Sequence, residues 1–366
     1  MDPQIKVTED NELFKFTISK INVSLANALR RIILSEIPCV VIRTETHDIN
    51  DCNIISNTCR LHNEIIKQRL SCIPIHMDFD QLEDLPGKYK LEIDMKNNED
   101  HMIYVTTEDF KIRNKINGHL LPSDATKKIF PPSEFGYYID FVRLKPKISD
   151  TILGEELKLE AEFSISNAKV NSMFNVVSKC AYSNTPNLIE IDKTWKDKEA
   201  VLSKDFSKEE IEFQKKNFYI LDAQRIFVEN SFDFVIKTVG VYKNNEIVKK
   251  GCEILYSKFE NIIKSIDNGI INVLYSDTTI EHCFDIHLED EDYTIGKVLE
   301  YILYTNYYEK DNKLSFCGFK KLHPHDNFSI IRIAFNEKND KNMCLQFLRN
   351  AAEDAVSIYK KLYKLL

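Results

Sequence analysis

No apolar run in this sequence approaches the ~18 residues that a membrane-spanning helix needs, so no transmembrane segment is expected. Residues 1–12 are polar and acidic and lack the apolar stretch of a signal peptide, which leads to the expectation of an intracellular chain. Basic residues are in the minority: 49 Lys and Arg against 57 Asp and Glu give a net charge of −8. That balance argues against a main surface that grips a phosphate backbone, although an acidic protein can serve a nucleic-acid machine whose other parts hold the nucleic acid. Cysteine pairs are missing too. None of the nine cysteines forms a CxxC, and the nearest two, Cys52 and Cys59, are too widely spaced for an ordinary zinc knuckle. Scattered thiols fit a reducing compartment. Gly and Pro are scarce, at 9 and 10, while Asn, Ile, Lys and Asp abound. An AT-rich genome produces that bias, and no structural conclusion follows from it.

The motifs of catalysis are absent as well. The chain has no GxSxG, no phosphate-cradling Gly loop, no HExxH and no carboxylate cluster of the kind that holds two magnesium ions. The expectation is therefore no catalytic residue, no cofactor and no metal. What is present is a chain of 366 residues, 43% hydrophobic and 29% charged, long enough for two or three domains with ordinary cores.

Its patterning is informative. Over 12–20, Phe14, Phe16 and Ile18 alternate with polar residues as in a half-buried strand. An amphipathic helix is expected from Ser24, the candidate N-cap, to Glu36, with Leu25, Ala28, Leu29, Ile32 and Ile33 on one face and Pro38 ending it. The apolar run 39–42 suits a buried strand. From about 47 to 216 short strands alternate with polar loops, the clearest strand being 157–165, and the charged stretch 196–216 reads as a solvated linker or surface helix. A strand over 232–242 precedes a helix bearing Leu255, Phe259, Ile262 and Ile266. Further on, a strand through Phe284, Ile286 and Leu288 leads into a helix near Thr294, followed by strands near 315–322 and 328–335. The C-terminal helix carries Leu348, Ala351, Ala355, Ile358, Leu362 and Leu365 at 3-4 spacing, a seam suited to a partner helix or to an ordinary core.

The end of the chain echoes its beginning. Residues 24–34, SLANALRRIIL, align with 294–304, TIGKVLEYILY, in cap, small and apolar positions, and each copy follows a strand and belongs to a unit closed by a seam helix. Two such units would pair about a pseudo-two-fold axis. The expected architecture is α+β: two β-α-β-β-α units paired through their helices, the first interrupted by a mostly β insertion.

Residues 22–38, NVSLANALRRIILSEIP, resemble the signature of the alpha-like subunits of multisubunit RNA polymerase: bacterial alpha, archaeal D and the third-largest subunit of polymerase II. Residues 64–75, EIIKQRLSCIPI, are similar to that family's "RLGLIPI" segment, and 167–174, NAKVNSMF, to its "HAKFSP" stretch. The C-terminal part resembles the small partner, archaeal L or the eleventh subunit of polymerase II: 292–299, DYTIGKVL, is similar to "HTLGNLL", and 316–325, FCGFKKLHPH, to "F-x-G-Y-x-x-x-HP". The resemblance runs over about 5–267 for the larger partner and 272–366 for the smaller, the order of a fusion such as nucleocytoplasmic large DNA viruses carry.

The resemblance implies dimerisation domains at 1–46 with 217–267 and at 272–366, and an insertion domain at 47–216. It implies a non-catalytic platform that docks the two large catalytic subunits, with small polymerase subunits as further partners. No separate small alpha-like partner, no sequence-specific nucleic acid contact and no membrane is implied; the place is a cytoplasmic viral factory or the virion, with the nucleus as alternative. Candidate subunit contacts are Asn27, Arg30, Arg31, Arg69 and Lys169, each of which also has the plain reading of a solvated surface residue. The internal pairing seam is assigned to Leu25, Leu29, Ile32, Leu255, Phe259, Ile262, Ile295, Leu299, Leu348, Ala355, Ile358 and Leu362. Some relatives carry a zinc loop or an iron–sulfur cluster in the insertion, for which no cysteine cluster exists here. Lys297 replaces the Asn of the small-partner signature, Glu300 and Tyr301 stand at the places of Arg30 and Arg31, and Asn167 replaces the family's His. His323 and His325 lack a third ligand nearby and are assigned a turn role. A scaffold or clamp-like factor with duplicated α+β units is the alternative, and an enzyme with a dispersed site is a third.

Overall fold

The computed structural model describes residues 2–149 and 151–366. In chain order they form β1 (Gln4–Asp10), β2 (Phe14–Ser19), α1 (Val23–Ser35), β3 (Cys39–Val41), β4 (Cys52–Asn57) and α2 (Asn63–Ser71). Next come β5 (Tyr89–Lys96), β6 (Ile103–Thr106), β7 (Lys111–Asn114), α3 (Ser123–Ile129), β8 (Asp140–Leu144), β9 (Glu156–Glu162) and β10 (Ser164–Ser166). Then follow β11 (Val177–Pro186), α4 (Leu188–Leu202), α5 (Lys208–Ile220), β12 (Phe227–Thr238) and α6 (Asn244–Asp267). The chain closes with β13 (Val273–Tyr275), β14 (Cys283–Glu289), α7 (Tyr293–Leu303), β15 (Leu314–Lys320), β16 (Phe328–Phe335) and α8 (Lys341–Leu365). Among the described residues, no helix is long and apolar enough to cross a membrane.

Two compact units result: 1–33 with 179–237 and 244–366, and 34–178 with 238–243. The later division lies at 178/179, not at the expected 216/217, because α4 and α5 belong to the first unit, and the earlier one lies at 33/34, in the last turn of α1, where 46/47 is expected.

The first unit is a duplicated structure. Its two four-stranded sheets have the orders β1-β2-β12-β11 and β13-β14-β16-β15, so each copy repeats one course, the expected strand–helix–strand–strand–helix preceded by a further edge strand, β1 or β13. The registers agree: Phe16 pairs with Phe234 where Ile286 pairs with Ile331, and Phe14 with Ile236 where Phe284 pairs with Ile333. The alternation read in β2 is the physical cause, since Phe14, Phe16 and Ile18 all face inward and are at most 2% exposed. The Phe16 and Phe234 rings stack at 5.1 Å. The apolar face of α1 buries Leu25, Ala26, Ala28, Leu29, Ile32 and Ile33.

The cap of α1 is Asn22, not Ser24: the Asn22 Oδ1 accepts from the Ser24 amide at 2.9 Å. In the second copy Asp292 does the same for the Thr294 amide at 2.7 Å, so the two helices start in register. Directly after α7 the chain continues as a π-helix over Tyr304–Lys310, a change of pitch that the apolar periodicity does not announce. Gly296 lies on the buried face of α7, where an added Cβ would sit 1.9 Å from the Phe319 ring.

The helices α6 and α8 run antiparallel. Phe259 stacks on Tyr359 at 6.0 Å, Tyr256 meets Tyr363 at 6.2 Å, and Arg349 bonds Asp267 at 3.1 Å. The charged stretch 196–216 is neither a linker nor a single helix: it contains the end of α4 and most of α5, a hairpin held by a small core of Ile191, Trp195, Phe218 and Ala223. A capping box of Ser207 and Glu210 starts α5.

The second unit is mostly β, with a sheet of order β4-β9-β5-β7 and the two-stranded pairs β3/β10 and β6/β8. Leu157, Leu159 and Ala161 of β9 fill its core beside Leu91, Ile93 and Ile112. The expected strand 157–165 breaks after Glu162, where the buried Phe163 separates β9 from β10, and β10 pairs with β3 instead. The polar face of this sheet is laced by cross-strand ion pairs, among them Lys158 with Asp94 at 2.7 Å and Arg113 with Glu92 at 2.8 Å.

Candidate functional site

The seam assigned from spacing lies on α1, α6, α7 and α8 of the first unit. Leu25, Leu29, Ile32, Leu255, Phe259, Ile295, Leu299, Leu348, Ala355 and Leu362 are at most 1% exposed, and Ile262 and Ile358 are at 6% and 4%. Spacing alone missed a further member. Tyr359 is fully buried, and its hydroxyl donates to the Leu25 carbonyl at 3.0 Å, closing a contact between the last helix and the first. The signal was there: Ala352, Ala355, Tyr359 and Leu362 also follow a 3-4-3 rhythm. Gly251 was missed too. A Cβ there would meet Ile33 at 2.9 Å and Leu29 at 3.2 Å, so α6 and α1 approach closely because this residue has no side chain.

The polar candidates separate into three kinds. Asn27 accepts from Arg30 Nε at 3.0 Å, one turn away on α1. Arg30 keeps the rest of its guanidinium without a partner among the described residues, half-buried at the side of β11, where its charge opposes the burial that pushes the Cys180 thiol up to about 12. Arg31 is instead engaged within the unit: Nη2 meets Asp292 Oδ2 at 2.8 Å and Nε donates to Thr294 Oγ1 at 2.8 Å. Burial opposes ionisation of Asp292, yet the hydrogen bonds from Thr294 and the Arg31 guanidinium outweigh it and hold the carboxyl below its ordinary value. Arg31 thus clamps the N-terminus of α7, where a helix dipole favours the carboxylate.

In the second unit, Arg69 uses its planar fork on backbone, donating from Nε to Phe141 O at 2.9 Å and from Nη2 to Asp140 O at 2.8 Å. Lys169 is exposed, its amide bonded to Ser35 O at 2.7 Å and its Nζ 3.4 Å from Glu36. The structure brings two of the singled-out segments together: Ser71–Ile75 and Met173–Val176 line one cavity of about 280 Å³ with Cys39–Val41. Its walls are mainly apolar side chains and backbone. Burial pushes the Cys39 thiol to about 12, far from the thiolate a nucleophile needs.

His323 and His325 form a turn, with His323 Nδ1 accepting from the His325 amide at 3.2 Å and the His323 amide donating to Asp326 at 2.9 Å. Among the described residues, no three His, Cys, Asp or Glu side chains gather as a metal site would require. This arrangement supplies pairing surfaces and clamps.

A duplicated β-α-β-β-α unit closed on itself through its helices defines a dimerisation fold. Residues 15–259 and residues 283–364 each match a family model described as the RNA polymerase Rpb3/Rpb11 dimerisation domain. The chain belongs to this family. It is similar to DNA-directed RNA polymerase subunit Rpo3 of Methanobrevibacter smithii, 24% identical over 296 residues that cover 74% of this chain and 99% of the relative. It is also similar to subunit rpac1 of DNA-directed RNA polymerases I and III of Dictyostelium discoideum, 26% identical over 301 residues covering 72% and 80%. The Rpo3 subunit of Methanothermobacter thermautotrophicus is 24% identical over 285 residues, 74% of this chain and all of that relative. Family and relatives place the chain among the non-catalytic, alpha-like assembly subunits of DNA-directed RNA polymerase.

Proposed function

We propose that this chain is a complete assembly platform in one polypeptide, on which the two large catalytic subunits of a DNA-directed RNA polymerase dock. The observation that carries the reading is the duplication: two family matches, in one chain, on two copies of the same sheet and helix order. A tether replaces a bimolecular pairing by an intramolecular one at an effective concentration of about millimolar, so no separate small alpha-like partner is required. The proposed domains are a larger-partner-like and a smaller-partner-like dimerisation domain with a mostly β insertion inside the first. Small polymerase subunits are further partners. Of the candidate contacts, Arg30 has the guanidinium to offer a partner, whereas Arg31 and Arg69 act first within the chain. The fused arrangement supports an origin in a nucleocytoplasmic large DNA virus, with a cytoplasmic viral factory or the virion as its place and the nucleus as the alternative.

The test is purification of the tagged chain from its native source. Both large polymerase subunits should co-purify in stoichiometric amount, and the isolated, nuclease-free chain should make no RNA and retain no metal through chelator dialysis. A lone chain with turnover of its own would sink the reading.

A further inference from the structure

The two copies in the first unit differ where they meet, and the difference has a direction. Aligned by their caps, Asn22 on Asp292, the copies set Arg31 at the place of Tyr301 and Ser24 at the place of Thr294. One of the two symmetry-related contacts is therefore charged, Arg31 to Asp292 at 2.8 Å with Arg31 Nε on Thr294. Its mate consists of a tyrosine and a neutral amide, and the Tyr301 hydroxyl has no hydrogen-bond partner among the described residues. A second asymmetry points the same way. The spacing that relates β12 to β16 also relates the starts of α6 and α8, and it puts Ile262 at the place of Tyr359. Tyr359 of the second copy bonds Leu25 O of the first, and Ile262 has no hydroxyl with which to return the bond.

We infer that the Arg31–Asp292 contact, assisted by Tyr359, determines which copy pairs with which, favouring first-with-second over either copy with its own kind. If a first copy paired with a first copy, each Arg31 would face Asn22 and Ser24, a half-buried guanidinium with no carboxylate opposite, and each Leu25 carbonyl would lose the donor that Tyr359 supplies. If a second copy paired with a second, each Asp292 would face Tyr301, a carboxylate with no cation. Specificity then arises as much from what is left unpaired in the wrong pairs as from the bond in the right one. The inference deepens the platform reading, because two unlike large subunits need a platform with two unlike halves.

The experiment uses the full chain with a protease site inserted at the exposed turn around Gly269, between α6 and β13. The folded protein is nicked there, and native mass spectrometry counts how the halves pair after exchange. Halves of the unsubstituted chain should stay first-with-second. Asp292→Asn, which keeps the cap as Asn22 does, and Arg31→Gln should each raise like-with-like pairs about fivefold, the weight of one half-exposed ion pair. The two together should raise them no further. A like-with-like fraction unmoved by Asp292→Asn, additive rises in the double variant, or unsubstituted halves that separate or pair without preference would each overturn the inference. No polymerase subunit takes part, so such a failure leaves the docking reading standing.

Discussion

A carboxylate placed in the helix seam tests the pairing of the two copies most directly. Ile358 on α8 is 4% exposed, whereas its neighbour Ser357 is exposed on the same helix. Ile358→Asp forfeits the burial of an isoleucine, about 1.5–3 kcal/mol. It also forces a carboxylate to be desolvated without a partner or to take up a proton, which costs several kcal/mol even after relaxation. The combined loss, about 5 kcal/mol, is comparable with the whole stability of many domains. Urea unfolding followed by circular dichroism should show the midpoint falling by about 1–2 M or the variant unfolded at the outset. The loss should be pH-dependent with a definite sign. A buried carboxyl has its folded pKa raised above the unfolded value of about 3.9, so the deficit is largest at neutral pH and shrinks as pH falls through the folded pKa. Ser357→Asp is the control; Lys360 is unsuitable because it already bonds Glu260 at 2.6 Å, and an acidic residue there would repel it. Loss of the seam should also abolish co-purification of the large polymerase subunits. Equal and negligible effects of the two substitutions on stability and assembly would refute both the packing and the platform built on it.

Gly296→Ala should destabilise by about 1–3 kcal/mol, because the new methyl falls inside the Phe319 ring, and Phe319→Leu in the same chain should recover part of the melting temperature. Trp195 is the one tryptophan and reports on a hairpin whose core has four buried residues, so its fluorescence should change at lower urea than the circular dichroism of the whole chain. The Trp195 Nε1 is buried without a hydrogen-bond partner, and Trp195→Phe, which removes that donor, should cost less than about 1 kcal/mol. Asp292 is held below its ordinary pKa, so the stability it contributes is present above the unfolded value of about 3.9 and is lost as pH falls through the folded one. Arg31→Gln should raise the Asp292 pKa seen by NMR, and its stability deficit at neutral pH should shrink as pH falls through the folded pKa of Asp292.

What the sequence by itself determined is local and periodic. The alternation of Phe14, Phe16 and Ile18, the helical stripe of α1, and the 3-4 rhythm from Leu348 to Leu362 each specify an element and its buried face, because one side of a strand or helix must leave water. The order of the motif segments likewise carried the family. Tertiary structure decided which groups meet. Arg31 and Asp292 are 261 residues apart, and Tyr359 and Leu25 are 334 apart, so neither partner is visible from the other's surroundings. Arg69, a candidate for a partner by resemblance, holds backbone carbonyls of β8 within the unit, a contact that its own neighbourhood in the sequence does not announce. The charged stretch 196–216 read as solvated because its core is so small: Trp195 and Phe218 flank it, and only their approach across the hairpin turns two polar helices into a packed pair. Periodicity records how each element meets water, whereas a long-range contact depends on the topology that delivers two distant residues to one place.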